Sequence, residues 1–246
     1  MTESPFSSDG YRDLVQAFLD KGYTVRHFAD CRPERSDLIL RHDIDISLEA
    51  AISVAETEYS LGVAATYFVL LRTDMYNPLS RQGQSVLHEL RALGHDIGLH
   101  LDASLYPDNR DALQQAAAQE CAALEAILGA PVRVISFHRP APSLVGSAHE
   151  LAGRLSAYSR RYTHDMGYCS DSRGGWHYGL PLEHESVRKG TALQLLTHPI
   201  WWNGAETASP TQKLLSHLEN RATYLDNELA AQCGIHTPAS ILKAKE

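Results

Sequence analysis

The chain has 246 residues, 43% of them hydrophobic, which is enough to bury the core of one barrel or one large α/β domain. Its formal net charge of −8 and its pI near 5.9 argue against a nucleic-acid-binding groove, which needs a basic face. No run approaches the roughly 20 apolar residues of a membrane span, and the first residues lack the basic and apolar regions of a signal peptide. We therefore expect a cytoplasmic protein without a membrane span, whose four scattered cysteines are free thiols.

Strand and helix patterns alternate along the chain. An apolar stripe from Tyr11 to Leu19 predicts a first helix that ends at Gly22. Further strands are predicted at about 36–40, 65–71, 95–100, 132–137 and 193–197, and further helices at about 47–61, 86–93, 108–129 and 211–231. Repeated strand–helix units indicate a parallel sheet, and this many units indicate an α/β barrel that occupies 1–246 as a single domain. The irregular segment 140–178 is typical of functional loops.

Two carboxylates mark the end of the strand predicted at 36–40. Asp43 and Asp45 stand one residue apart, at the C-terminal mouth of the strand, where α/β enzymes usually place their chemistry. In an extended chain both side chains point the same way, and two like charges that close repel unless a cation or a shared proton lies between them. The alternative is that Asp45 and Ser47 merely cap the next helix.

A histidine and a carboxylate end another predicted strand. His100 and Asp102 are two residues apart, so both can face one site, and a structural hydrogen bond between them is the alternative reading. Imidazole nitrogen together with carboxylate oxygen suits zinc and other divalent first-row metals. If the strand ends are neighbours, Asp45, His100 and Asp102 form a metal site.

Polar clusters also follow the later strands. Arg139 lies in Ser136–Pro140 and can hold a carboxylate in its charged form through a guanidinium fork; alternatively it is a solvated residue before a turn. The other clusters are Asp171–Trp176 and Leu196–Pro199, and the second is followed by Trp201 and Trp202. Paired tryptophans beside polar groups are found both in ordinary packing and in sugar-binding grooves.

The order of these motifs resembles that of the NodB-type polysaccharide deacetylase superfamily. The resemblance extends from about 38 to 202 and comprises five segments: His42–Asp45 as the paired-Asp first motif in its Asp-x-Asp form, then Gly94–His100, Arg139–Pro140, Asp171–Trp176 and Leu196–His198. It implies an irregular, TIM-like (β/α) barrel. It also implies a hydrolase that uses a divalent metal, zinc being expected, to remove an acetyl group from an amino sugar.

The resemblance also implies a role for each matching residue. Asp43 would be the general base, and Asp45 and His100 would be metal ligands. His198 would protonate the leaving amine. The remaining assignments are to positioning and substrate binding: Arg139 would orient Asp43, Asp171 would hold His198, Trp176 would wall the groove, and Leu196 would line the acetyl pocket.

One position departs from the family pattern. The second motif usually has another histidine four residues after the first, and here that residue is Ser104, a poor ligand for a divalent metal. Either Asp102 or His138 supplies the third ligand, with Asp102 favoured because it shares a strand end with His100, or metal binding is weakened or lost.

The departure leaves two alternatives to a sugar deacetylase. One is a catalytically impaired, carbohydrate-binding relative, and the other is a cyclic-amide amidase on the same barrel. Because a cytoplasmic location is expected, the substrate expected for the deacetylase is a soluble or carrier-linked acetamido sugar or glycan precursor of surface-polysaccharide assembly. The sequence does not indicate an oligomeric state.

Overall fold

The sheet is centred on a strand that is buried along its whole length, Asp37–Ile44. In the computed structural model, which describes residues 6–146, 150–204 and 207–238, this strand has a parallel neighbour on each side. The sequence predicts that the strand ends near Leu40, but it continues through Ile44. The polar residues Arg41, His42 and Asp43 can extend it because each finds a hydrogen-bonding partner inside the protein.

Within the described ranges, nine strands form one sheet in the order β6-β7-β5-β4-β3-β2-β9-β8, with β1 paired to β2. The strands are β1 Thr24–Val25, β2 Asp37–Ile44, β3 Thr66–Val69, β4 Asp96–Asp102, β5 Val134–His138, β6 Glu150–Leu151, β7 Arg154–Ser156, β8 Gly167–Ser170 and β9 Leu193–Thr197. All pairs are parallel except β6–β7. The α/β class and the irregular barrel predicted from the sequence are confirmed, and the antiparallel β6–β7 hairpin is one source of the irregularity.

Most helices lie in the connections between strands, whereas the first precedes β1 and the last follows β9. The described residues form α1 Ser8–Asp20, α2 Ala50–Ser60, α3 Arg81–Ala92, α4 Arg110–Leu128, α5 Arg160–Thr163, α6 Glu185–Lys189 and α7 Pro210–Gln232. The helix predicted at 47–61 begins at Ala50, and its first turn is capped by the Ser47 hydroxyl, which accepts a hydrogen bond from the Ala50 amide at 3.2 Å. The cap is thus provided by Ser47, and the Asp45 side chain lies elsewhere.

The segment predicted to be irregular, 140–178, holds three short strands and the one-turn helix α5. These strands have two to four residues, too few for a recognisable periodicity in the sequence. The chain has two compact units, Met1–Glu206 and Thr207–Glu246, and the second contains α7. The single domain over 1–246 stays a prediction. Among the described residues, every helix is either too short or too polar to cross a membrane.

Candidate functional site

The ends of four strands bring the polar side chains of the first unit together. Parallel strands have their carboxyl ends at the same edge of a sheet, so residues at these ends become neighbours. Asp43 and Asp45 come from the end of β2, and His100 comes from the end of β4. His138 is the last residue of β5, and His198 directly follows β9.

One carboxylate oxygen and two imidazoles form the centre of this group. Asp45 Oδ1 lies 3.1 Å from His100 Nε2 and 3.3 Å from His138 Nδ1. One potential ligand atom from each of the three residues lies within 4.8 Å of the other two. This oxygen is buried, and no described residue donates a hydrogen bond to it in good geometry. A buried oxygen without a donor, facing two ring nitrogens, fits a divalent cation bound by one oxygen and two nitrogens.

The charge of Asp45 also fits a divalent cation bound at this group. Burial raises the pKa of the Asp45 carboxyl, but the adjacent His100 and His138 lower it by more, so that this pKa lies below its usual range. Asp45 is therefore ionised at neutral pH, as a metal ligand must be.

Asp102, predicted as the third ligand, lies outside this group. Its carboxylate accepts hydrogen bonds from the Ser104 amide at 3.0 Å and the Ser104 hydroxyl at 2.6 Å. The chain leaves β4 at Asp102 and turns into a short 3-10 helix, and the Asp102 side chain caps that helix. The structure therefore supplies His138, which is paired with Asp102 in the sheet register, as the third donor. The sequence left His138 open as the alternative third ligand, and the geometry favours it over Asp102.

A buried ion pair holds Asp43 beside the three donors. Arg41 Nε and Nη2 donate to the two Asp43 carboxylate oxygens at 2.9 and 2.8 Å, and both side chains are almost completely buried. Burial raises the pKa of the Asp43 carboxyl, whereas the Arg41 guanidinium lowers it, and the net pKa lies below the usual range. Asp43 Oδ2 lies 3.6 Å from His100 Nε2. An ionised carboxylate is thus fixed next to the candidate metal group.

The motif order predicts that Arg139 orients Asp43, and here the structure differs. Arg139 follows the end of β5 in a left-handed conformation, with φ of 48°, and its side chain is exposed. No described residue forms an ion pair with it. Arg41 stands two residues before Asp43 on the same strand and therefore on the same face. That spacing was the signal in the sequence from which the role of Arg41 could have been inferred.

Ser136 connects this ion pair to His100. Its hydroxyl lies 2.6 Å from His100 Nδ1, accepts a hydrogen bond from Arg41 Nη2 at 3.0 Å, and can donate to Asp43 Oδ1 at 3.5 Å. In the tautomer that directs the hydroxyl proton to Asp43, the oxygen accepts the Nδ1 proton of His100. The Nε2 lone pair of His100 then faces Asp45, as a metal ligand requires. No pattern in the sequence indicates this role for Ser136.

His198 forms a second polar pair at the same edge. Its Nδ1 lies 2.6 Å from Asp171 Oδ1, and Trp202 Nε1 donates to the other Asp171 oxygen at 2.8 Å. Burial lowers the pKa of His198, but the Asp171 carboxylate raises it by more, and the result is a pKa of about 9. His198 Nε2 lies 3.8 Å from Asp45 Oδ2. A protonated imidazole therefore faces the three-donor group.

The two residues predicted to contact substrate lie near these groups in different environments. Leu196 is buried on β9 and is the register partner of Arg41. Trp176 is half-buried, and its ring stacks on Phe6 with centroids 5.9 Å apart and lies 6.2 Å from the Trp202 ring. Their roles as acetyl-pocket lining and groove wall stay predictions.

The geometry predicts which residues a metal needs. Wild-type protein should bind about one zinc ion per chain. Asp45→Ala and His138→Ala should each weaken zinc affinity by more than about 100-fold, because removing a ligand costs more than removing a residue that orients one. Asp102→Ala is the matched control and should bind as wild type does. Isothermal titration with zinc measures all four proteins; loss in Asp102→Ala with retention in His138→Ala would contradict this ligand set.

The ion pair predicts a difference between two arginines. Arg41→Met should lower the free energy of unfolding by about 3–5 kcal/mol, since it leaves the buried Asp43 charge without its partner. Arg139→Met should change it by less than about 0.5 kcal/mol. Urea denaturation gives both values. The double variant Arg41→Met/Asp43→Asn should recover part of the loss, and no recovery would show that the unpaired charge is not its cause.

Solved structures of a similar fold include several deacetylases. No family model and no curated protein matches the chain. A deacetylase of Streptococcus pyogenes, PplD, in complex with acetate, is 13% identical over 85% of each chain, with a TM-score of 0.46. A polysaccharide deacetylase of Bacillus cereus is 16% identical over 86% of this chain and 61% of that one, with a TM-score of 0.44. A CE4 family pseudoenzyme of Bacillus anthracis is 14% identical over 77% and 63%, with a TM-score of 0.44.

Proposed function

We propose that the chain is a metal-dependent hydrolase that removes the acetyl group from an N-acetylated sugar or glycan precursor. One observation carries the proposal. Next to the three donors Asp45, His100 and His138 lie an ionised carboxylate, Asp43, which is 3.6 Å from His100, and a protonated imidazole, His198, which is 3.8 Å from Asp45. A potential Lewis-acid site, a base and an acid are thus found at one edge of the sheet.

Hydrolysis of an amide needs these three functions. The water must lose a proton as it attacks, the carbonyl must be polarised, and the departing nitrogen must gain a proton. A divalent ion held by Asp45, His100 and His138 would polarise the acetyl carbonyl and make the attacking water more acidic. We infer zinc, because one carboxylate and two imidazoles with room for a further ligand form a typical catalytic zinc set.

Asp43 is the group that we propose as general base. Its carboxylate is ionised because the Arg41 guanidinium holds it in that state, and it lies beside His100 without being part of the three-donor group. It can therefore take a proton from a water in the site. Arg41 also fixes the direction of the carboxylate through two hydrogen bonds, which keeps an oxygen near His100.

His198 is the group that we propose as general acid. With a pKa of about 9 it carries both ring protons at neutral pH. Nδ1 is held by Asp171, so the proton on Nε2 is the one that faces the site. An expelled amine is strongly basic and cannot leave without a proton, and His198 is placed to supply it.

The proposed substrate class comes from the motif order in the sequence. The motif order supports an acetylated amino sugar, and Trp176 and Leu196 are the residues proposed to contact its ring and its acetyl group. We also propose a cytoplasmic role in surface-polysaccharide metabolism. The alternative of a catalytically impaired relative was considered because Ser104 replaces the usual second histidine ligand. His138 is a third donor beside Asp45 and His100, and this supports an active metal site over that alternative.

The test of the proposal is release of acetate by the zinc-loaded protein. Wild type should release acetate from N-acetylated sugars and should leave cyclic amides intact. Asp43→Asn should keep the zinc and lose activity by about 10²–10⁴-fold, since only the base is removed. Asp102→Asn, the same substitution on a carboxylate outside the group, is the control and should retain activity. Zinc-loaded wild type that hydrolyses no acetamido sugar, or an active Asp43→Asn variant, contradicts the proposal.

A second experiment isolates the acid. His198→Ala should bind zinc normally and should lose far more activity on an acetamide, by about 10²-fold or more, than on an acetyl ester with a good leaving group. The ester expels a group that needs little protonation, whereas the amide expels an amine. Initial rates on the two substrates give the ratio. Equal losses on both would assign His198 a role other than proton donation.

A further inference from the structure

The last helix carries an exposed apolar stripe. α7 has 23 residues, and among those described only Lys213 is buried. Four leucines on this helix, each 51–53% exposed, form a line with Ala222. We refer to this line as the α7 seam; it consists of Leu215, Leu218, Ala222, Leu225 and Leu229.

We propose that the α7 seam pairs with the seam of a second copy of this chain as a short, parallel coiled coil. The five positions are separated by three, four, three and four residues, which is the heptad spacing that keeps a stripe facing a partner helix. Leu218 and Leu225 occupy the d positions, where leucine favours two-stranded pairing. The proposal concerns α7 alone and does not depend on the proposed function.

Charges beside the seam favour a second copy in parallel orientation. Arg221 is at a g position and Asp226 is at the following e position. In a parallel pair a g residue lies next to the e residue of the partner five positions later, so two Arg221–Asp226 attractions form by symmetry. Asp226 also contacts His236 at 2.7 Å, and a carboxylate can accept both bonds. Antiparallel pairing would instead place Glu219 near the other copy's Asp226, two like charges.

The size and charge of the surface agree with a homodimer rather than a membrane contact. The exposed parts of the leucines in two copies amount to roughly 700 Å², and flanking side chains bring the pair near the lower limit of specific interfaces. We therefore expect a dimer of modest affinity. Membrane-binding helices are rich in lysine and arginine on the polar face. α7 instead has three acidic residues, Glu219, Asp226 and Glu228, and two basic ones, Lys213 and Arg221.

The test is the mass of the full-length chain in sedimentation velocity, from about 5 to 200 µM, a range chosen around a micromolar dissociation constant. Wild type should shift from monomer to dimer over this range. Leu218→Glu/Leu225→Glu should remain monomeric throughout. Ser216→Glu/Asn220→Glu is the matched control, with the same added charge at exposed positions outside the seam, and should dimerise as wild type does. Unchanged circular dichroism spectra of both variants show that the fold is retained.

Orientation is tested by oxidative cross-linking. In a Cys233→Ser background, Leu229→Cys should form a disulfide-linked dimer, because parallel pairing places the two positions side by side. Antiparallel pairing would separate them by roughly 20 Å. A wild type that stays monomeric, a dimer that survives Leu218→Glu/Leu225→Glu, or a dimer that does not cross-link would overturn the proposal. Seam-dependent binding of monomeric wild type to phosphatidylcholine vesicles would also overturn it, by assigning the seam to a membrane.

Discussion

The arrangement of the site depends on a charge buried in the sheet. Arg41 is fully buried on the central strand, and such a charge is tolerated only when its partners are fixed in place. Its fork holds Asp43, and its remaining donors reach Gln194 on β9 and Ser136 on β5. The rings of Tyr158 and Phe68 lie 4.6 and 5.4 Å from the guanidinium carbon and add cation–π contacts. One side chain thereby ties three strands of the site together.

The opposite face of β2 carries a second buried network. His42 alternates with Arg41 and Asp43, so its side chain points away from the site. Its Nε2 lies 2.7 Å from Glu58 Oε1, and its Nδ1 lies 2.7 Å from Thr197 Oγ1. Glu58 also accepts hydrogen bonds from Tyr11 and Tyr67, at 2.6 Å each. Thr197 directly precedes His198. This network therefore holds the end of β9 from the face of the sheet opposite to the site, and it supports the position of the proposed acid.

The two networks explain how like charges can be concentrated at one edge of the sheet. Asp43 has Arg41 as partner, and Asp171 has His198 together with the indole of Trp202. Asp45 alone lacks a hydrogen-bond donor in good geometry among the described residues, and it faces two imidazoles. A cation bound at that point would complete the balance of charge, and this is why the metal is proposed there and not at the other carboxylates.

The sequence by itself determined the alternation of strands and helices, the barrel class, and the clustering of polar residues at strand ends. These features depend on periodicity and on composition over short windows, which survive without knowledge of the fold. It also singled out Asp45, His100 and His198, since each follows a clear apolar strand. The short strands of 140–178 were not predicted, because two to four residues carry no periodicity.

Tertiary structure alone decided which neighbours these residues have. The sequence slightly favours Asp102 over His138 as the third ligand, but the turn after β4, where Asp102 caps the helix that begins at 103, removes Asp102 from the site. The partner of Asp43 is decided in the same way. The left-handed backbone after β5 leaves Arg139 exposed, whereas the pleat of β2 points Arg41 at the Asp43 carboxylate. Direction at a strand end is set by one or two dihedral angles, and a sequence pattern averaged over many residues does not contain them.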